Sequence, residues 1–354
     1  LFSVDRLAGP LGMVALRAAF VVGTVFALVD VLRTRSASHA VAGCVGLLAL
    51  LVAEWRFSLR PELVSWLFAA VFLAVLERHR SGRGASLHLL PLLQCLWANT
   101  HIHAFGLVLV FVYAIVETLR ERTWRTPLVG CGVACTFATL LNPYFLEGAL
   151  YPLHLATRLS DANTFGANIL ELVSPFALVP DPDQPFSESL SLWAYRVLFV
   201  AAVIAVFVQG RGRRFEDVAL LLLFTGLSTL AIRNLPLFAV VCTPAIVAGL
   251  DEWLGTRREG AVARGAWGAA MVSALVLLFA VVLGNYYASE RRPQRFGAEL
   301  CGSCLALQTA DFVASSRLEG RGLNNLTMGS VLVWRDPERR VFIDGRNEVT
   351  GEAL

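Results

Sequence analysis

The stretch LLPLLQCLWANTHIHAFGLVLVFVYAIV, residues 89–116, decides the fold class, because a short polar segment interrupts an apolar run. The apolar residues lie at about 87–98 and 104–117, and NTHIH separates them. Each run is shorter than the roughly 20 residues that cross the hydrocarbon core of a bilayer. The pattern indicates tilted or broken helices, or spans extended by polar flanks, with NTHIH in the turn between them.

The composition of the whole chain is typical of a membrane protein. Of its 354 residues, 56% are hydrophobic and 16% are charged, against roughly 45–50% and 25% in soluble domains. We therefore expect an all-α polytopic membrane protein with about ten transmembrane segments. These segments lie at about 11–32, 39–53, 62–76, 87–98, 104–117, 127–141, 191–208, 218–232, 235–250 and 266–283.

The arginines predict the orientation of the chain, which contains no lysine. Every second loop is basic, with fourteen arginines in five such loops against four in the alternate loops. Because positively charged loops stay in the cytoplasm, we expect the alternate loops and both ends of the chain outside the cytoplasmic membrane. The alternation supports ten spans. The sequence shows no pattern of basic and aromatic residues of the kind that would indicate nucleic-acid binding.

The uncommon polar residues near segment ends fall on the predicted outside face, where they could line one cavity. They are Arg56, Arg60 and Glu62 in RFSLRPEL, Asn99, His101 and His103 in NTHIH, Glu171 in ILELVSP, and Arg233 and Asn234 in AIRNLPLF. Such ionisable groups are candidates for a functional site, although arginines near span ends also anchor a protein at the interface. We expect Asn99 and Asn142 to be structural, through hydrogen bonds at helix ends.

The long outside loop at 142–190 contains a second kind of signal. Leucines at 146, 150, 153 and 159 are spaced as on one face of a helix. We expect this helix to lie at the membrane interface, in contact with lipid.

The composition changes at about residue 289, where we expect a small extracytoplasmic α/β domain to begin. The pattern predicts a short helix that ends at Gly320 and strands at 330–334 and 340–344. The predicted domains are therefore 1–288, which spans the membrane, and 289–354. Since the chain starts at Leu1 and stops just after a strand-like run, we expect it to be a fragment of a longer polypeptide.

Five phrases carry a resemblance to a known family. They are RPELVSWLFAAVFLAVLER, LPLLQCLWANTHIHAFGL, LLNPYFLEGALYP, IRNLPLFAVVCTPAIVA and VFIDGRNEV. With these phrases, in this order, the chain resembles a group of bacterial proteins similar to the GT-C superfamily, the membrane glycosyltransferases that use polyprenyl-phosphate sugars. The group's usual turn is Trp-Ala-Asn-x-His-Gly-Gly-Phe, and here Ile102, His103 and Ala104 replace part of it.

The resemblance implies transfer of a sugar from a polyprenyl-phosphate donor to an acceptor on the outer face of the cytoplasmic membrane. It also implies a catalytic carboxylate in the first outside loop, which would lie mostly upstream of Leu1, so Asp5 is the candidate left in this chain. Glu171 could orient the acceptor.

The remaining candidate residues would bind the donor. Arg60 and Arg233, with Asn234, would hold the phosphate, since arginine is well shaped for that group. His101 would bond phosphate or, with His103, bind a divalent metal ion. A His-x-His pair alone is weak evidence for a metal site.

Two other functions stay open from the sequence. A transporter or lipid flippase would need polar groups in mid-membrane and often inverted repeats. No repeat at fixed spacing is present, but the short segments at 87–117 leave room for broken helices. A non-catalytic membrane assembly protein could keep the same fold without the chemistry.

Overall fold

The computed structural model describes most of the chain, and the described part is helical. It covers residues 2–35, 37–84, 86–158, 170–180, 185–208, 214–254, 261–292, 296–297, 305–316 and 322–343. Contacts divide the chain into two compact units. We call Met13–Val276 the bundle unit, and Leu1–Gly12 with Leu277–Leu354 the terminal unit.

The helices follow the apolar segments of the sequence. In chain order they are α1 (Phe2–Thr34), α2 (His39–Glu54), α3 (Glu62–Arg80), α4 (Leu89–Ala98), α5 (Ala104–Glu121), α6 (Pro127–Ala138), α7 (Phe145–Arg158), α8 (Leu190–Val208), α9 (Phe215–Leu230), α10 (Leu235–Leu254), α11 (Ala261–Val282), α12 (Asn285–Ser289), α13 (Leu307–Ser315) and α14 (Leu326–Arg335). Short 3₁₀ helices lie at Leu170–Leu172, Pro185–Glu188 and Ile232–Asn234. All ten expected segments are helical, which confirms the all-α prediction.

Among the residues that the structure describes, three helical stretches are long and apolar enough to cross a membrane: Ser3–Thr34, Leu190–Val208 and Ile232–Leu254. Shorter apolar helices lie at His39–Glu54, Leu89–Ala98, Pro127–Ala138 and Trp267–Val282. By length and composition the chain is therefore a candidate membrane protein, and the total of ten spans stays a prediction. Helix α7 confirms the predicted helix in the long loop, with Leu146 and Leu153 exposed on it.

Helix α10 is the centre of the bundle unit. It contacts α2, α3, α8 and α9, and its residues from Leu235 to Val247 are buried without interruption. A helix that is apolar on all sides needs neighbours around it. At Gly249 the neighbour comes very close, because a Cβ there would lie 2.9 Å from the Cβ of Ala205 on α8. A side chain at 249 would therefore push α8 and α10 apart.

A network of buried charges joins four of these helices at one end of the bundle unit. Its members are Arg35 after α1, Glu77 and Arg80 on α3, Tyr113 on α5, and Arg214, Glu216 and Asp217 at the start of α9. We call it the buried ion network. The side chains of Arg35, Glu77 and Asp217 are 6%, 3% and 2% exposed.

Glu77 is the residue that most of these contacts share. Its carboxylate accepts hydrogen bonds from Arg35 at 2.8 Å, from Arg214 at 2.8 and 3.0 Å, and from the hydroxyl of Tyr113. Arg35 also donates to Asp217 at 2.8 and 3.0 Å. Three arginines and three carboxylates cancel in charge, as burial requires, because an unpaired buried ion costs several kcal/mol.

In the terminal unit, α13 and α14 pack through Ala310, Val331 and Leu332. The short helix predicted to end at Gly320 is present as α13, which ends at Ser315, while Gly320 lies outside the described residues. The predicted strand at 330–334 is wrong, since these residues belong to α14. Residues 340–343 form no strand either, and the rest of that predicted strand lies outside the description. The α/β class of this region is not borne out by the residues described.

Two features explain why residues 330–334 are helical. The Asn325 side chain accepts from the amide of Met328 at 2.8 Å and caps α14. Gly329 on α14 lies against the backbone of Ile343, where a Cβ would clash with the carbonyl oxygen. A short apolar run does not by itself distinguish a strand from a buried helix, and here the cap and the packing decide.

We expect Glu77→Gln to destabilise the bundle unit strongly, because it leaves Arg35 and Arg214 without a shared counter-charge. The loss of unfolding free energy should be about 3–5 kcal/mol, the range for a broken buried ion pair. The measurement is the thermal midpoint of the detergent-purified protein.

The matched control is Asp30→Asn. Asp30 pairs with Arg78 at 2.6 Å, but the two side chains are 33% and 50% exposed, so the loss should stay below about 1 kcal/mol. Equal losses for the two variants would contradict the role given to the buried ion network.

Candidate functional site

Four charged side chains meet at the N-terminal end of α3. Arg56 donates to both carboxylate oxygens of Glu62, at 2.7 and 2.9 Å, and to Glu171 at 2.9 Å. Arg60 donates to the same Glu171 oxygen at 2.7 Å. We call these four residues the arginine–glutamate cluster. Arg56 is 9% exposed and donates to carboxylates from all three guanidinium nitrogens, whereas Arg60 is 48% exposed and uses one of them.

The cluster shares the first turn of α3 with a second polar group. Ser65 Oγ lies 2.7 Å from His101 Nδ1 and accepts the indole N–H of Trp97 at 2.8 Å. Trp97 and Ser65 are buried, at 0% and 3% exposure. Because Glu62 and Ser65 are three residues apart, they lie on one side of the same helical turn. The structure therefore brings RFSLRPEL and NTHIH into contact, while their place on the outer face of a membrane stays a prediction.

Glu171 joins a third segment, ILELVSP, to the site. Two hydrogen bonds attach ILELVSP to the AIRNLPLF segment and to the end of α9 that precedes it. Ser174 Oγ donates to the Thr229 carbonyl at 2.7 Å, and the Ile232 amide donates to the Val173 carbonyl at 3.0 Å. These bonds fasten the 3₁₀ helix of Glu171 to the one that contains Arg233. Arg233 is half-buried, and no described side chain pairs with it. The amide of Asn234 donates to the Leu227 carbonyl at 2.9 Å, a contact at the end of α9.

An apolar groove of about 310 Å³ lies in the bundle unit between α1, α2, α10 and α11. It follows α2 from Ala42 to Ala53, a length of about 17 Å at the helical rise. Ala53, Phe57 and Trp66 line it at the end where α3 begins. Phe57 follows Arg56 and Trp66 follows Ser65 in the chain, so this end of the groove is lined by residues next in sequence to the arginine–glutamate cluster and to Ser65.

The electrostatics of the cluster keep Glu171 ionised. Burial raises the pKa of Glu171, but the charges of Arg56 and Arg60 and their hydrogen bonds outweigh it and lower the pKa below its ordinary value of 4.5. A carboxylate with a lowered pKa is a weak base. Glu171 is therefore suited to accept hydrogen bonds and not to remove a proton.

The two histidines of NTHIH have different partners. His101 contacts Ser65, whereas His103 is buried at the start of α5 and bonds to the backbone of Ala149. Burial lowers the pKa of His103 and that hydrogen bond offsets it only in part. Within the described ranges, no three His, Cys, Asp or Glu side chains group as a metal site would need.

The asparagines fill the structural role expected of them. Asn99 donates to the carbonyls of Cys95 and Leu141, at 2.8 and 2.7 Å. Asn142 donates to the carbonyls of Thr139 and Phe145, at 2.7 and 3.0 Å. Both residues thus satisfy helix-end groups, which confirms the prediction.

Asp5 belongs to the terminal unit. It accepts a hydrogen bond from the indole of Trp334 on α14 at 3.1 Å. Its assignment as a catalytic residue stays a prediction.

Three residues of the site were not singled out from the sequence. Arg56 was counted with the outside polar residues but given no role, although it is the buried centre of the cluster. Ser65 and Trp97 carry no predicted role. The available signal was Trp97 itself, four residues before His101, because a buried indole N–H needs an acceptor.

Comparison of the chain with protein-family models, with curated proteins and with solved structures gives no match. The resemblance to the GT-C superfamily is therefore neither supported nor opposed by relatives, and it stays a prediction.

The lowered pKa of Glu171 predicts a pH dependence of stability. The pairing of Glu171 stabilises the folded protein at any pH above about 4.5, the pKa of Glu171 in the unfolded chain. This stabilisation is lost as the pH falls through the lower pKa that Glu171 has in the folded protein. Glu171→Gln should lower the free energy of unfolding by about 1 kcal/mol, which is measured as a lower thermal midpoint. The loss is small because solvent screens a pair that is one-third exposed. The difference from wild type should be constant from about pH 5 to 7 and should shrink below it.

The control is Glu121→Gln, since Glu121 is half-exposed and pairs with Arg120 at 3.1 Å. It should change stability little at any pH. A Glu171→Gln deficit that stays undiminished well below the folded pKa would contradict the ionised pairing.

Proposed function

We propose that the chain belongs to an integral membrane protein that transfers a sugar from a polyprenyl-phosphate donor to an acceptor on the outer face of the cytoplasmic membrane. The observation that carries the proposal is the position of the arginine–glutamate cluster at one end of an apolar groove. A lipid phosphate has the matching form, an anionic head on a long apolar chain. The ten spans, with both ends outside, are part of the same proposal.

Arg60 and Arg233 are the cations best suited to the phosphate. Arg56 is surrounded by Glu62 and Glu171, so its charge is already balanced. Arg60 has donors left over after its single contact with Glu171, and Arg233 pairs with no described side chain. Guanidinium groups bind phosphate oxygens with two parallel hydrogen bonds, and this interaction strengthens where water is excluded.

The groove supports a lipid donor. Its walls are apolar, and Trp66 and Phe57 at its end lie next in the chain to Ser65 and Arg56. Burial of an isoprenoid chain stabilises the complex by roughly 25 cal/mol per Å² of apolar surface removed from water. The groove holds part of a long chain, and the rest would lie in the bilayer.

In this mechanism the bond between the sugar's anomeric carbon and the phosphate oxygen breaks, and the acceptor oxygen forms the new bond. Arg60 and Arg233 stabilise the negative charge on the departing polyprenyl phosphate, and His101 donates a hydrogen bond to it. Glu171 accepts a hydrogen bond from the acceptor and orients it. The proton leaves to a separate base, for which the resemblance implies a carboxylate of the first outside loop.

The described residues do not fit a divalent cation in the cluster. Glu62 and Glu171 are already neutralised by arginines, and no third ligand joins them among the described side chains. No step is assigned to a metal.

A transporter or lipid flippase is the second candidate, favoured by the buried ion network. Ionisable groups enclosed within a helix bundle are frequent where ions or head groups pass. In this network the three charges of each sign cancel, which suits a structural role as well. A non-catalytic assembly protein of the same fold is the third candidate.

The experiment is a transfer assay in membranes that contain the protein expressed from its complete gene. Labelled polyprenyl-phosphate sugars are supplied, and Arg60→Ala and Arg233→Ala are compared with wild type at equal protein levels. We expect each variant to lose about 10²-fold or more of the rate, the cost of removing one group that stabilises developing charge.

The control is Arg196→Ala, since Arg196 stacks on Trp193 at 4.6 Å and belongs to neither charge cluster. It should transfer at the wild-type rate. Unaltered transfer in both Arg60→Ala and Arg233→Ala would contradict the assigned phosphate site. Movement of labelled lipid between leaflets without any transfer would favour the flippase.

A further inference from the structure

Trp97, Ser65 and His101 form a chain of side-chain hydrogen bonds, and the donor and acceptor of each bond follow from the atoms involved. Trp97 Nε1 lies 2.8 Å from Ser65 Oγ, and Ser65 Oγ lies 2.7 Å from His101 Nδ1. The indole nitrogen of Trp97 can only donate. Ser65 Oγ must therefore accept from Trp97, which leaves the hydroxyl proton for a different partner.

The partner of that proton is His101. Serine and threonine hydroxyls on helices often donate to a carbonyl three or four residues back, as Thr243 and Ser228 do here. Ser65 makes no such bond, and within the described part of the chain His101 Nδ1 is the acceptor within its reach. Nδ1 accepts only when it carries no proton. In the neutral ring the proton is then on Nε2.

Burial makes this arrangement costly to change. If Nδ1 became protonated, it would face Ser65 Oγ as a second donor, and the serine hydrogen would lose its acceptor at a site 3% exposed. An unsatisfied buried donor costs about 1–3 kcal/mol. The same chain that fixes the tautomer thus disfavours the imidazolium.

We propose that Ser65 and Trp97 are positioning residues that hold His101 as a neutral ring with its proton on Nε2, so that His101 donates a hydrogen bond to the donor phosphate and acts neither as a base nor as a metal ligand. The phosphate contact rests on the proposed function, whereas the tautomer does not. This tautomer leaves His101 one of its two expected roles, the hydrogen bond to phosphate. It excludes metal binding, because a protonated Nε2 and an Nδ1 that accepts from Ser65 leave no lone pair for a metal.

The test is nuclear magnetic resonance of the protein labelled with ¹⁵N-histidine in phospholipid nanodiscs. Two-bond proton–nitrogen correlations distinguish the tautomers, and the loss of one ring's signals in His101→Gln assigns them. We expect an unprotonated Nδ1 and a protonated Nε2 in the wild type. A wild-type ring with the proton on Nδ1, or with both nitrogens protonated at neutral pH, would overturn the proposal.

Two variants, each with a matched control, test the chain of hydrogen bonds itself. Ser65→Ala removes the donor to Nδ1, so an Nδ1-protonated form should appear, whereas Ser65→Thr keeps the hydroxyl and should keep the wild-type tautomer. Trp97→Phe should also release the tautomer, and Trp193→Phe, at an exposed indole, should not. A wild-type tautomer in Ser65→Ala would show that the chain does not fix it.

The phosphate contact is tested in the same sample. Undecaprenyl phosphate should shift the Nε2 signal of His101, and undecaprenol, which lacks the phosphate, should not. If the tautomer is as predicted but the Nε2 signal does not respond to undecaprenyl phosphate, His101 does not donate a hydrogen bond to the phosphate. That result would contradict the proposed function at this site, while the hydrogen-bond chain would stand.

Discussion

The structure depends on the balance of charge around Glu77. An apolar bundle can enclose a carboxylate only when cations and hydrogen-bond donors surround it, and Arg35, Arg214 and Tyr113 do so here. These residues come from four separate helical regions, so their mutual attraction specifies how α1, α3, α5 and α9 meet. Helix α10 then fills the space among its neighbours mainly through apolar packing, with the Asp251 carboxylate accepting from the Ser38 amide at 2.8 Å.

Arginine–carboxylate pairs also lie at the opposite end of α3, where some of them are exposed to solvent. Arg56 is enclosed like Arg35, but Arg60 and Glu171 reach solvent, and Arg233 lies in the adjoining segment. An apolar groove begins beside them. One end of the bundle is thus closed by balanced charges, while the other combines accessible cations with an apolar groove. This difference is why we place the proposed function at the second end.

The sequence predicted the helices and the gathering of polar residues on one side, because an apolar run and its polar flank are local properties. It could not predict which charges pair: Arg56 and Glu171 are 115 residues apart. Arg35 and Arg214 were counted only as positive loop charges, since nothing local marks an arginine as buried. The strand expected at 330–334 was wrong because a cap at Asn325 and contact at Gly329 favour a helix.

The central claim is that the groove and the arginine–glutamate cluster bind one lipid phosphate, and photo-crosslinking tests it most directly. An undecaprenyl-phosphate analogue with a diazirine on its isoprenoid chain is activated in membranes that contain the protein, and the labelled peptides are identified by mass spectrometry. We expect labels on the groove faces of α1, α2 and α11, removed by excess undecaprenyl phosphate but not by undecaprenol. Labels spread over the outer helix faces, with equal competition by both lipids, would contradict the claim.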